Sequence, residues 1–228
     1  MRIPINIHAS WQNHLIPLFN LPSMIELNTE ILPKCQFYPQ SQDIFNVFKM
    51  PLNEVNVVIL GQDPYPKSGQ AIGYSFAVSE LTAIPKSLKI IQTEVLNNFM
   101  SDEGVVDRFN RKSWRELYHW RQQGVFLLNT ALTVERERAG SHIKLWKPFT
   151  NEVIRLLATQ NPIWILWGNY AIAYEFLIRN YTKEPPVILK AAHPAVENYS
   201  DKGGFYGCNH FKQANESLEL KGKKIITW

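Results

Sequence analysis

The chain has 228 residues, a formal net charge of +4 and a sequence pI of about 9.0. This length suffices for one domain with a complete core, and the mild basic excess fits a polyanionic partner without requiring one. No apolar run approaches the roughly 18 residues of a membrane span, and no signal-peptide pattern is present. Two cysteines and six scattered histidines lack metal-site or disulfide spacing. We therefore expect a single cytosolic domain over 1–228, without metal or membrane contact.

The hydrophobic pattern predicts strands that alternate with helices. Four short apolar runs are typical of strands buried on both faces: Val55–Leu60, Val125–Leu128, Ile163–Trp167 and Val187–Leu189. Helical patterns cover Ser87–Phe99 with Ser87 as N-cap, Trp114–Trp120, Phe149–Leu157, Tyr170–Ile178 and Asn209–Leu220. Residues 1–50 are predicted to form a helical capping segment, with Ile44–Phe48 leading into the first strand. The alternation predicts an α/β fold, a three-layer αβα arrangement around a central four-stranded parallel sheet.

Polar side chains follow three of the predicted strands. They are Asp63 in "GQDPYP", Asn129 in "NTALTV" and His193 in "AAHPAV". Taken alone, Asp63 is more typical of a turn, Asn129 of a loop closed onto its own backbone, and His193 of a structural histidine. Parallel strands place their carboxyl ends at one edge, where ligands bind. A carboxylate, an amide and an imidazole at one rim are suited to binding a polar ring and moving charge around it.

Two aromatic residues lie near this edge. Phe76 in "GYSFAV" is most simply a core residue, whereas Tyr65 stands in the loop beside Asp63 and is harder to explain as core. Together they could form a slot for a flat heterocycle, by stacking on one side and steric exclusion on the other.

Two further segments give weaker signals. The charge-rich segment Val134–His142 is typical of a solvated loop, although Arg136, Arg138 and Ser141 could contact phosphates. The Gly-rich segment Gly203–Phe211 opens a helix and could present backbone N–H groups to a phosphate. Neither it nor "GQDPYPKSG" matches a P-loop or dinucleotide fingerprint.

Consecutive blocks of the sequence resemble uracil-DNA glycosylases of the family-1 class. The blocks are "YPQSQDIFNVF", "VNVVILGQDPYP", "GQAIGYSFAV", "GVFLLNTALTV", "SHIKLWKPFT", "IWILWGNYA", "AAHPA" and "GFYGCNHFKQANE". They run in the family's order from about Tyr38 to Trp228. The resemblance implies a monofunctional repair enzyme that hydrolyses the N-glycosidic bond of deoxyuridine in single- or double-stranded DNA, leaving an abasic site. It also implies no cofactor, a monomer, and a possible protein inhibitor as a partner.

The resemblance assigns roles to the residues at the sheet edge. Asp63 would position the attacking water and stabilise the sugar cation, and His193 would hydrogen-bond O2 of the leaving uracil. Asn129 would read the uracil edge, since its amide offers both a donor and an acceptor. Phe76 would stack on the flipped base and Tyr65 would exclude thymine at the 5-position.

Gln62 would contribute to the same pocket through the backbone of its loop. Pro66, by contrast, stands where the family usually has histidine. Proline has neither a titratable group nor an N–H, so the resemblance predicts the reaction class but not its rate.

The chain departs from the family mainly in the loops that grip DNA. Ser87 remains for a phosphate contact, but Ala195 occupies a usual serine position. The usual leucine that wedges into the duplex is absent, and Val196 or Tyr199 could replace it. We therefore expect unchanged chemistry with relatively better use of single-stranded substrate, where flipping needs less help from a wedge.

Two other classes of function compete with this interpretation. One is a DNA-binding accessory module on the same fold with weak catalysis, which would have no reason to retain both Asp63 and His193. The other is an enzyme acting on a small nucleotide, which lacks any phosphate fingerprint.

Overall fold

The computed structural model describes residues 6–99, 104, 112–199 and 204–228, except the side chains of 112, 113 and 197–199. Its strands are β1 Phe37–Tyr38, β2 Val57–Gly61, β3 Val125–Asn129, β4 Val134–Glu135, β5 Ile163–Trp167 and β6 Ile188–Ala191. Its α-helices are α1 Ala9–Leu15, α2 Pro22–Glu26, α3 Lys86–Asn98, α4 Tyr118–Arg121, α5 Ile143–Thr159, α6 Asn169–Ile172, α7 Glu175–Tyr181 and α8 His210–Leu220. Short 3-10 turns cover Ile16–Asn20, Leu32–Lys34, Ser41–Asp43, Asn46–Lys49, Leu52–Glu54, Lys112–Glu116 and Pro194–Tyr199, and Leu27–Ile31 is a π-helical turn. Within these described ranges no helix is both long and apolar enough to span a bilayer.

A parallel sheet with the strand order β3-β2-β5-β6 forms the centre of the fold. The first three of these strands are buried along their whole length, as their unbroken apolar runs predict. The edge strand β6 is only half-buried, and Lys190 on it faces solvent, whereas β3 at the opposite edge is covered. Val55 lies outside β2, since it follows a 3-10 turn instead of pairing with a neighbouring strand.

Helices cover both faces of the sheet, which confirms the predicted three-layer αβα fold. Alternate strand residues enter two separate hydrophobic cores because successive side chains point to opposite faces. One core joins Val58 and Leu60 to the N-terminal helical segment and to α5. The other joins Val57 and Ile59 to α3, α8 and the C-terminal Trp228.

Several helix boundaries differ from the sequence prediction. The helix α5 begins at Ile143, six residues before the predicted start at Phe149, and it passes through Pro148. Pro148 is the sixth residue of this helix, so it removes one backbone N–H from the second turn. The predicted helix Tyr170–Ile178 is two short helices, α6 and α7. The predicted helix Trp114–Trp120 is interrupted at Leu117, which has a φ of 49°.

The prediction of Ser87 as an N-cap is wrong. The helix α3 begins at Lys86, Pro85 stands at its N-cap, and no side chain caps it. Ser87 is instead the second helical residue, and its hydroxyl bonds to Tyr65. The segment after β3 also differs from a simple solvated loop, because its strand β4 pairs antiparallel with β1.

Candidate active site

The predicted site residues come together around one cavity at the carboxyl edge of the sheet. The cavity has a volume of about 200 Å³ and lies where the chain leaves β2, β3 and β6. Its lining comprises Gly61, Gln62, Asp63, Pro64, Tyr65, Pro66, Tyr74, Phe76, Ser87, Asn129 and His193. The first connection from β2 leads to β3 on one side, and the chain later adds β5 on the other side of β2. Such a reversal of strand order opens a crevice suited to a ligand.

Asp63 is a partly buried carboxylate held by two donors. The backbone N–H of Gly140 donates to Oδ2 at 2.5 Å, and the Gln62 amide donates to Oδ1 at 3.2 Å. Burial raises the pKa of Asp63 above its ordinary value, while the bonds from Gly140 and Gln62 oppose that rise. The carboxylate is therefore fixed in direction and poorly solvated, which strengthens its field on a nearby cation.

Backbone bonds fix the loop that carries Asp63. The carbonyl of Gln62 accepts the Ala131 N–H at 2.9 Å and the Thr130 hydroxyl at 2.7 Å. The carbonyl of Pro66 accepts the Glu137 N–H at 2.9 Å. These bonds join the loop after β2 to the segment after β3, so Asp63 stands on a rigid support.

Asn129 is the last residue of β3, and it lines the cavity while remaining almost fully buried. Its side chain is 6% exposed, and its register partner across the sheet is Gly61. Within the part of the chain that the structure describes, the Asn129 amide lines the cavity and has no hydrogen-bond partner in the protein. Its donor and acceptor groups are therefore available to a ligand in the cavity.

Phe76 forms a wall of the cavity from a strained backbone position. Its φ is 62°, in the left-handed region that a bulky side chain rarely adopts. The ring packs edge-on to Trp167 with centroids 5.4 Å apart, and its centroid lies 5.9 Å from that of His193. Strain of this kind concentrates at functional sites, where the surrounding structure holds the residue in place.

Tyr65 is locked by two contacts of its hydroxyl group. The hydroxyl bonds to the Ser87 hydroxyl at 2.7 Å and donates to the carbonyl of Phe76 at 3.3 Å. Burial raises the pKa of Tyr65 to about 12, so the phenol is neutral at physiological pH. Its ring is thereby held as a fixed wall of the cavity.

His193 is held as one neutral tautomer. Its Nδ1 accepts the backbone N–H of Ala195 at 3.1 Å, so the ring proton is on Nε2. Burial lowers the pKa of His193 below its ordinary value. The strand-end residue Gly168 permits this placement, because a Cβ built on it would lie 2.8 Å from Cβ of His193. The imidazole therefore acts as an N–H donor without carrying charge.

The residues expected to touch DNA have varied surroundings. The Ser87 side chain is buried against Tyr65, and the Ser141 hydroxyl accepts the Glu135 N–H at 2.8 Å. The backbone N–H of Ala195 donates a hydrogen bond to Nδ1 of His193. The side chain of Tyr199 lies outside the described residues, so its predicted contact stays a prediction.

Two residues near the site escaped the sequence reasoning. Gly140 lies 77 positions beyond Asp63, inside a charge-rich segment that looked merely solvated. Glu94 is fully buried in α3, and its carboxylate accepts the N–H groups of Gly207 at 2.8 Å and Asn209 at 3.0 Å. It thus ties the Gly-rich loop before α8 to the helix that carries Ser87. The sequence signal for Glu94 was an acidic residue at a position of the predicted helix that faces the core.

The cavity therefore brings together side chains of complementary chemistry. A carboxylate and an uncharged N–H donor can stabilise positive and negative charge that separate as one bond breaks. The described residues include no group of three or more His, Cys, Asp or Glu placed to hold a metal ion.

Comparisons of the sequence and of the structure with known proteins point to the same family. A sequence model of the Uracil DNA glycosylase superfamily matches residues 49–219. A uracil-DNA glycosylase of Azobacteroides pseudotrichonymphae is 38% identical over 98% of this chain and 99% of its own length. One from Escherichia fergusonii is 42% identical over 84% of this chain and 80% of its own length.

Solved structures agree with the sequence relatives. The crystal structure of mimivirus uracil-DNA glycosylase has a TM-score of 0.80 and 26% identity, covering 98% of this chain and 89% of that one. A mimivirus UNG variant in complex with UGI has a TM-score of 0.81 and 27% identity, over 97% and 88% of the two chains. The chain belongs to the uracil-DNA glycosylase superfamily.

Proposed function

We propose that this protein excises uracil from DNA by hydrolysing the N-glycosidic bond of deoxyuridine. One observation carries the proposal: Asp63, the Nε2–H of His193 and the unpartnered amide of Asn129 border the same cavity. The carboxylate stabilises positive charge on the sugar, the imidazole stabilises negative charge on the leaving base, and the amide recognises uracil. The products are free uracil and an abasic site.

Asp63 supplies the charge that the sugar needs. Breaking the bond between C1′ and the base nitrogen leaves an oxocarbenium-like centre, which a nearby carboxylate stabilises. The N–H of Gly140 keeps that carboxylate in one orientation. The same oxygen pair can orient the water that attacks C1′. Pro66 lies beside it without a titratable group, so Asp63 acts without help from that position.

His193 supplies the donor that the leaving base needs. Uracil departs as an anion with charge on O2, and a neutral imidazole N–H stabilises that charge by a hydrogen bond. The lowered pKa of His193 and the bond from Ala195 to Nδ1 both favour this form. A neutral donor avoids the cost of burying an imidazolium before the base anion forms.

Asn129 and Tyr65 select uracil over the other pyrimidines. The Asn129 amide can accept from N3–H and donate to O4, whereas cytosine presents the reverse pattern and leaves buried groups unpaired. The fixed Tyr65 ring leaves no room for the 5-methyl group of thymine. Phe76 stacks on the selected base, with Trp167 behind it.

The base must leave its stack to enter a cavity of this kind, as glycosylases generally require. We propose that single-stranded DNA is used relatively well, because the loop beyond His193 lacks the family's leucine. We also propose monofunctional chemistry, since the cavity's described lining includes no lysine to attack C1′. The UGI complexes of relatives support a protein inhibitor as a partner.

A strand-cleavage assay tests the proposal. A single-stranded oligonucleotide with one deoxyuridine is incubated with protein, and abasic sites are then cleaved with alkali. We expect cleavage by the wild type and losses of roughly 10²-fold or more for Asp63→Asn and for His193→Ala. The exposed Glu216→Gln is the control for a removed carboxylate and should retain full activity. Absence of cleavage by the wild type would contradict the proposal.

A further inference from the structure

A second cavity opens beside the base cavity. It has a volume of about 550 Å³, and its lining includes Gln62, Trp167, Tyr170, Ala192, His193 and Val196. It shares Gln62 and His193 with the base cavity. A group bound there would therefore lie directly next to the base held by His193.

The walls of this second cavity are mainly apolar, and Gln62, Asn169 and His193 are the polar residues in its described lining. Tyr170 is 55% exposed and Val196 is 43% exposed, although both are large apolar side chains. Gly168, Asn169, Ala192 and the buried Trp167 complete the described lining, which includes no Lys, Arg, Asp or Glu. The exposed aromatic and aliphatic side chains in this lining suit stacking against a flat uncharged ring.

The exposed Tyr170 has a firm support. It lies in α6, whose neighbouring residue Ala171 is only 2% exposed. The N–H of Ile172 donates to the carbonyl of Gly168 at 3.0 Å, which holds the first turn against the end of β5. An aromatic ring that is exposed on an anchored turn provides a stacking platform at little cost in ordering entropy.

We propose that this second cavity binds the nucleobase adjacent to the excised uracil, with Tyr170 as its stacking platform. The inference rests on the proposed function, because the neighbouring nucleotide reaches this cavity only when uracil occupies the first. Its volume, more than twice that of the base cavity, accommodates a purine. The site would make the excision rate depend on the neighbouring base.

A flanking-base experiment tests this site. Single-stranded oligonucleotides carry one deoxyuridine, and the nucleotide on its 5′ or 3′ side is either deoxyadenosine or a base-free tetrahydrofuran. For each enzyme we define the flanking ratio as kcat/KM with adenine divided by kcat/KM with tetrahydrofuran. Tyr170→Ala should lower this ratio by roughly fivefold or more on one side of the uracil. Tyr170→Phe keeps the ring and should retain the ratio.

Matched controls separate stacking from damage to the fold. Phe176→Ala removes another exposed aromatic residue, one in α7 that is absent from the cavity's lining, and should leave the flanking ratio unchanged. An unaltered flanking ratio in Tyr170→Ala on both sides would overturn the site, as would an equal loss on the adenine and tetrahydrofuran substrates. Failure of the proposed function is distinct, since the wild type would then release no uracil from any substrate.

Discussion

Gly61 and Asn129 face each other at the ends of β2 and β3, and the pair leaves no room for a side chain on the glycine. A Cβ on Gly61 would lie 2.3 Å from Oδ1 of Asn129 and 2.8 Å from Cβ of Ser75. Gly61 has no positive φ among the backbone exceptions of the chain, so the requirement is for space and not for conformation. The glycine therefore permits the amide to occupy the position from which it faces the cavity.

The change Gly61→Ala should displace the Asn129 amide and lower kcat/KM for uracil by roughly tenfold or more, because one bidentate contact is lost. Circular dichroism and thermal unfolding would show whether the fold survives. Gly69→Ala serves as a control for destabilisation alone, since its φ of 73° strains an added side chain while the new Cβ meets no atom closer than 3.7 Å. Full activity in Gly61→Ala would mean that the amide does not read the base.

The change Asp63→Asn should slow uracil release while raising the melting temperature. The pKa of Asp63 is raised in the folded state, so the ionised form destabilises the fold at neutral pH. That cost appears as the pH rises from the unfolded pKa of about 3.9 to the folded value. Asparagine removes the charge and can still accept the Gly140 N–H. Unfolding measured at pH 4 and pH 7 should show the gain at pH 7 alone, and a lower melting temperature at pH 7 would contradict this account.

The pH dependence of kcat/KM should have an acid limb and no loss of activity between pH 6.5 and 9. Asp63 must be ionised, so activity rises with pH through its raised pKa. His193 acts as a neutral donor, and its lowered pKa means that the imidazolium proton is already lost below the ordinary range of a histidine, so kcat/KM does not fall as the pH rises. A decline in kcat/KM as the pH rises through the lowered pKa of His193 would show that the imidazolium, and not the neutral ring, is the active form.

Tyr65 offers a test of discrimination against thymine. Tyr65→Ala removes the ring beside the 5-position and should allow detectable release of thymine, with slower release of uracil. Tyr65→Phe keeps the ring but leaves the buried Ser87 hydroxyl without this partner, which should cost about 1 kcal/mol of stability. Base release is measured by chromatography of the free base. Exclusion of thymine by Tyr65→Ala would assign the discrimination to another wall of the cavity.

The sequence alone places the main functional groups but not their supports. Asp63, Asn129 and His193 could be brought together from the pattern because parallel strands deliver their ends to one edge. The hydrogen bond from Gly140 to Asp63 could not be predicted, since it depends on how the charge-rich segment Val134–His142 packs against the loop after β2.

The backbone conformation of Phe76 and the hydrogen bond of Ser87 also could not be predicted from the sequence. Phe76 has a left-handed φ that no local preference favours, because the tertiary structure imposes it. Ser87 has the composition of an N-cap, yet its hydroxyl bonds to Tyr65, and the helix begins one residue earlier. In both cases a contact distant in sequence overrides the local preference.

The most direct test exchanges the base that Asn129 reads. Free bases released from single-stranded oligonucleotides with one deoxyuridine or one target deoxycytidine are quantified by mass spectrometry, for the wild type and Asn129→Asp. We predict uracil alone from the wild type, and from Asn129→Asp a reduced release of uracil together with release of cytosine. Unchanged uracil release and no cytosine from Asn129→Asp would contradict the central claim that this cavity identifies and excises uracil.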